Sequence, residues 1–126
     1  VKMNTRKIAK DYGLNVVHVN KNNIGRVAEK YDIDKKNLKN NAYVIDNEDI
    51  ILGIFDDKDL KIASFFHEMG HTLIKESFEK LVNENNMLIE SQAWIEGLRI
   101  AKKYGVKFSD KMFNYIMDSI NTYYIP

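Results

Sequence analysis

His67-Glu68-Met69-Gly70-His71 constrains this chain more than any other stretch. Two imidazoles four residues apart lie on one face of an α-helix, about one turn apart, so both can reach a single ion. Glu68 sits one step round the helix, close enough to touch a water on that ion without displacing it. Ile62, Phe66, Met69 and Leu73 recur at helical spacing around the motif, which predicts an amphipathic helix over about 58–75. The chain's composition alone would produce H-E-x-x-H about 0.004 times, so chance is a poor account of it. Gly70, between the two histidines, leaves room for a neighbouring helix to approach closely.

The rest of the composition narrows the chemistry. There are no cysteines among the 126 residues, which excludes a disulfide framework, a thiolate metal site and a cysteine nucleophile. Nineteen basic and 18 acidic residues leave a formal charge of +1, which removes the electrostatic case for a nucleic-acid or anionic-membrane partner. The clusters Lys35-Lys36 with Lys39 and Lys102-Lys103 with Lys107 lack interleaved stacking aromatics and read as solvated faces. No apolar run approaches a membrane span, and the N-terminal residues lead into no signal-type stretch. A cytoplasmic protein is expected. No Walker loop, nucleophile elbow or dinucleotide glycine pattern is present.

The length suits one domain, 1–126. Local signals give its order. A short helix is expected over about 4–12, with Gly13 as its stop, then a strand over Val16–Val19. A helix capped by Asn22 or Asn23 runs to Tyr31, and the polar segment Asp32–Asn41 reads as loop. Ala42–Ile45 and Ile50–Phe55 form a hairpin about Asp46-Asn47-Glu48-Asp49. Asp56, Asp57 and Asp59 then supply capping oxygens for the motif helix. After the polar break Asn83–Asn86, a helix runs from about Leu88 to Tyr104 and stops at Gly105. Ser109 or Asp110 caps a last helix through Tyr123 or Tyr124. The expected class is α+β: a small sheet with a β-hairpin, packed by the motif helix and the helix after it.

Two histidines leave a metal short of protein ligands, since a catalytic zinc keeps three and one open position. His18 is the one other histidine, and a packed or exposed strand residue is the simpler account of it. On the following helix, Glu90 heads an apolar stripe formed by Trp94, Gly97, Leu98 and Ala101. A carboxylate facing the core is unfavourable unless paired or metal-bound. Glu96 is the rival, about 120° away round the helix, beside Arg99 and Lys103, where an ion pair explains it.

H-E-x-x-H followed nineteen residues later by Glu90 resembles the gluzincin metallopeptidases, and the short strand–helix–hairpin–helix–helix order is similar to the single-domain minigluzincins. The likeness spans roughly Ala42 to Tyr104. The ImmA/IrrE-type peptidases are the runner-up, although they carry Glu-Ala-Asn near the third ligand where this chain reads Gln92-Ala93-Trp94. The resemblance implies a zincin-like fold, one Zn²⁺ per chain on His67, His71 and Glu90, and Glu68 as general base and acid. It implies a peptide or protein substrate, with Leu52-Gly53-Ile54 as an edge strand that pairs with extended substrate. For those three residues a plain core strand is the competing account, with Gly53 marking a bulge. One departure stands out: thermolysin-type members place an Asp four residues after the ligand Glu to orient a ligand histidine, and here that position is Trp94.

Candidates for a donor to the reacting carbonyl oxygen are His18, Tyr104, Tyr123 and Tyr124. The apolar tail Asn121–Pro126 has three readings: it packs on its own core, contacts another subunit in a homo-oligomer, or lies over the metal cleft. Small gluzincins that restrict their own activity make a latent enzyme part of the expectation. The contrasting class is a non-catalytic, zinc-stabilised binding module, and Glu68 separates the two, because a structural site needs ligands but no base.

Overall fold

A computed structural model describes residues 3–74 and 86–123. Its class is α+β, with five α-helices and a three-stranded mixed sheet among the described residues. The chain divides into two compact units, 1–65 and 66–126.

In the first unit, α1 (Thr5–Asp11) starts where Asn4 Oδ1 accepts from the Lys7 amide at 3.1 Å. It ends at Gly13, whose φ of +74° lies in the left-handed region that glycine enters without strain. Strand β1 (Asn15–His18) follows, then α2 (Ile24–Tyr31), entered through an Asn cluster in which Asn20 Oδ1 accepts from the Asn22 and Asn23 amides. Strands β2 (Ala42–Ile45) and β3 (Asp49–Leu52) form the expected antiparallel hairpin. β1 pairs with β3 in parallel, Val16 opposite Ile50 and His18 opposite Leu52. The order β1-β3-β2 therefore places β3 in the middle.

Two expectations are corrected here. The segment Asp32–Asn41 is not simply loop: Lys35–Leu38 forms a 3₁₀ turn, capped by Asp34 Oδ1 on the Lys36 amide. Its polar composition hides one anchor, Leu38, which is fully buried in a core with Val19, Val27, Ala28 and Ile51. Nor is Leu52-Gly53-Ile54 an edge. Leu52 ends the central strand, and its carbonyl accepts from the Val19 amide at 2.8 Å. The Gly53 and Ile54 amides donate to the carbonyls of Asn41 (2.9 Å) and Leu38 (2.8 Å), and the Ile54 carbonyl accepts from the Asn40 amide. These main-chain groups are used by the fold itself, so strand addition has no free ladder there. Gly53 marks a close approach rather than a bulge, since a Cβ would lie 2.5 Å from the Asn41 carbonyl oxygen and 2.9 Å from the Leu38 carbonyl carbon.

Helix α3 (Lys58–Thr72) carries the motif. Asp57 Oδ1 caps it, accepting from the amides of Asp59 (2.8 Å) and Leu60 (3.2 Å). The unit boundary falls within α3, after Phe65. In the second unit, Phe66 and Met69 are fully buried, whereas Leu73, just past the helix end, is exposed. α4 (Asn86–Lys103) starts two residues before the expected Leu88 and is stopped by Gly105 at φ +72°. Ser109 Oγ caps α5 (Asp110–Asn121) on the Met112 amide. α5 buries Met112 and Ile116, and Phe108 links it to α3 through ring contacts with Phe66 (6.2 Å) and Phe113 (5.9 Å). Lys75, most of the break Asn83–Asn86, and Tyr124 to Pro126 lie outside the described residues. No described helix is long and apolar enough to cross a membrane.

Candidate metal centre

The site begins with two glycines. A Cβ on Gly70 would drive into the Ala93 carbonyl and lie 2.8 Å from the Gly97 amide nitrogen. One on Gly97 would meet the Phe66 carbonyl, 2.8 Å from its carbon. Without Cβ atoms at these positions, α3 and α4 approach backbone to backbone, one glycine contributed by each helix. That contact brings the N-terminal half of α4, with Glu90, against the motif face of α3.

His67 Nε2, His71 Nε2 and Glu90 Oε2 converge there. The His71–Glu90 separation is 2.7 Å, His67–Glu90 is 3.3 Å, and the two imidazole nitrogens are 3.1 Å apart. Glu90 Oε2 is buried and makes no hydrogen bond of acceptable geometry, despite its proximity to both rings. Three potential ligand atoms thus face one point. Tetrahedral nitrogen and oxygen ligands about 2.0–2.1 Å from a zinc ion stand about 3.3 Å from one another. A His-His-Glu group of this spacing, with an orphaned buried oxygen at its centre, fits a divalent cation after a few tenths of an ångström of expansion. Among the described residues it is the group that could hold a metal ion.

The electrostatics agree. Burial would raise the Glu90 carboxyl, but contacts with His67 and His71 outweigh it and hold the group well below the usual carboxylate range. Burial holds His67 below the ordinary imidazole value, against the pull of Glu90, and so favours the neutral, ligating form. Glu68 is different. Burial, with Glu90 adding to it and His71 opposing, pushes its carboxyl up to about 8. A cation within the group would draw that value down.

The other candidates fall elsewhere. Glu96 Oε1 accepts from Arg99 Nη1 and Gln92 Nε2, both at 2.9 Å, the ion pair that its neighbours suggested. His18 lies in the first unit, with Nε2 2.9 Å from Thr5 Oγ1, and is absent from the ligand group. Burial, then Lys61 and Arg6, lower its pKa from 6.5. A histidine with a depressed folded-state pKa contributes stability that is present above the unfolded value and lost as pH falls through the folded one. In metal-free protein, wild type should therefore lose stability relative to His18→Gln as pH falls below about 6.5, with the difference flat above it. Chemical denaturation of the two proteins across that range checks this.

Two contacts go beyond what the sequence offered. Tyr123 is one of four donor candidates, and among the described ones its hydroxyl reaches the site, donating to Glu90 Oε1 at 3.3 Å. Burial, then Glu90, raise its pKa, so the phenol keeps its proton. Trp94 stacks on His67, ring centroids 4.1 Å apart and planes inclined by 29°. It stands in the apolar stripe that was legible in the sequence, but no spacing signalled its ring contact with a ligand. No family model, no curated protein and no solved structure matches the chain.

Proposed function

We propose that the chain is a zinc-dependent endopeptidase of the small gluzincin kind. The convergence of His67 Nε2, His71 Nε2 and Glu90 Oε2 within 2.7–3.3 Å carries the reading. The soft-to-borderline imidazoles and one carboxylate suit zinc better than calcium or magnesium, which favour all-oxygen shells. When bound, zinc supplies Lewis acidity, making a coordinated water more acidic and polarising the substrate carbonyl.

The remaining work falls to this chain's own groups. Glu68 lies beside the ligands without joining them, and its carboxylate accepts the proton of the attacking water. It then returns that proton to the leaving amine nitrogen. The Tyr123 hydroxyl, kept protonated, would donate to the carbonyl oxygen as negative charge develops. In the resting protein that hydroxyl is engaged by Glu90, which supports a form of low activity until substrate displaces the contact. Extended substrate would find its main-chain partners away from Leu52-Gly53-Ile54.

Metal analysis of purified protein tests the reading. Wild type and Glu96→Ala should each hold near one zinc per chain, and Glu90→Ala should lose it. Equal retention by Glu90→Ala, or a wild type that takes up no zinc when it is supplied, would overturn the assignment.

A further inference from the structure

Histidines that hold metals ordinarily donate their second ring N–H to a carboxylate, carbonyl or water, which fixes the tautomer and aims the ring. His67 departs from this rule. Its Nδ1 is buried and has no hydrogen-bond partner among the described residues. What holds the ring is a face: the Trp94 indole, 4.1 Å away and near-parallel, with the His71 ring meeting it edge-on at 4.6 Å. Trp94 is 4% exposed, and Tyr115 meets it at 88° and 6.0 Å.

We propose that Trp94 is the positioning residue for the His67 ligand, aiming its imidazole at the metal by stacking where a hydrogen bond would otherwise do so. This rests on the metal-site reading above. The placement is economical in geometry. Trp94 follows Glu90 by four residues, so the third ligand and the platform under the first lie on one face of α4. The close α3–α4 approach that delivers the carboxylate also delivers the indole. Metal ligation draws electron density from an imidazole, and an electron-rich indole face attracts the resulting electron-poor ring. The attraction therefore grows when the ion binds, coupling the stack to metal affinity. Tyr115 packs edge-on against the indole, and the side chain is almost wholly buried.

Trp94→Leu keeps an apolar side chain without a ring face, and Trp94→Phe keeps a face. In competition with a chelator, Trp94→Leu should bind zinc about 10–100-fold more weakly than wild type, while Trp94→Phe recovers most of the loss. The visible absorption bands of the cobalt(II)-loaded protein, which report ligand geometry, should change in the leucine variant and return in the phenylalanine one. A role in packing alone predicts the opposite pattern: both variants melt lower and both keep wild-type cobalt bands and zinc affinity, which would overturn the proposal. The wild type supplies a test that needs no variant. Trp94 is the chain's single tryptophan, so cobalt(II) should quench its emission and saturate at one equivalent. Emission unmoved by bound cobalt would also overturn the stacking role. A wild type that takes up neither ion would instead defeat the metal reading itself.

Discussion

Glu68→Gln should keep its zinc and lose peptide hydrolysis, with turnover reduced by about 10²–10⁴-fold or more. The two halves of that result have separate causes. Zinc should be retained because the group that could hold it is His67, His71 and Glu90, and Glu68 is not part of that group. Turnover falls because glutamine matches the carboxyl in shape but cannot take a proton from water. Burial matters here as well. Without a cation the Glu68 carboxyl is pushed up to about 8, the state of an acid short of solvent and facing the charge of Glu90. A divalent ion held by the neighbouring His67, His71 and Glu90 would reverse that balance and make the group a base near neutrality. Metal content by atomic spectroscopy and hydrolysis of a quenched-fluorescent peptide library check the two halves independently. Undiminished turnover in a zinc-loaded Glu68→Gln protein would remove the peptidase reading and leave a zinc-stabilised binding module. Loss of zinc would make Glu68 a ligand instead.

Why so much of this centre was legible follows from helix geometry. The motif spacing places His67 and His71 on one face whatever the rest of the chain does, and Glu90 is betrayed by its position at the head of an apolar stripe. Gly70 was readable too, because a glycine between two ligands on an otherwise regular helix has few purposes besides close approach. What stayed hidden depends on groups far apart in sequence. Gly97 looks like one more small residue in the stripe until α3 lies against it. The position of Trp94 announced a missing carboxylate but not that a stacked ring would take its place. Tyr123 was one tyrosine among several, and its selection depends on how α5 returns towards Glu90. In the first unit, two β-rich runs and the turn tetrad foretold the hairpin, yet strand order did not follow from them. The parallel pairing of β1 with β3 made the expected edge a centre. Leu38 shows the limit of composition, since a lysine- and asparagine-rich segment forms a 3₁₀ turn and contributes a fully buried side chain to the core.

The α3–α4 contact also yields the sharpest conflict between local preference and tertiary packing. By helix propensity, Gly70→Ala should stabilise the protein by up to about 1 kcal/mol, because alanine is the best helix former and glycine among the worst. In this structure the sign should reverse. The new Cβ would drive into the Ala93 carbonyl and sit 2.8 Å from the Gly97 amide nitrogen, and both are helix backbone that cannot swing aside. Overpacking of this kind costs about 1–3 kcal/mol, so the net effect should be a lower unfolding midpoint. The chemical consequence is larger. Separating α3 from α4 by even an ångström withdraws Glu90 Oε2 from two imidazoles now 2.7 and 3.3 Å away. Zinc affinity should therefore fall far more than stability does, by an amount approaching that of Glu90→Ala. Gly97→Ala, which presses the same two backbones apart from the other side, should behave alike. Denaturant midpoints and chelator competition on the same samples separate the two effects. If Gly70→Ala raised stability and kept its zinc, the two helices would not be held at backbone contact, and the route by which this sequence assembles its ligands would have to be different.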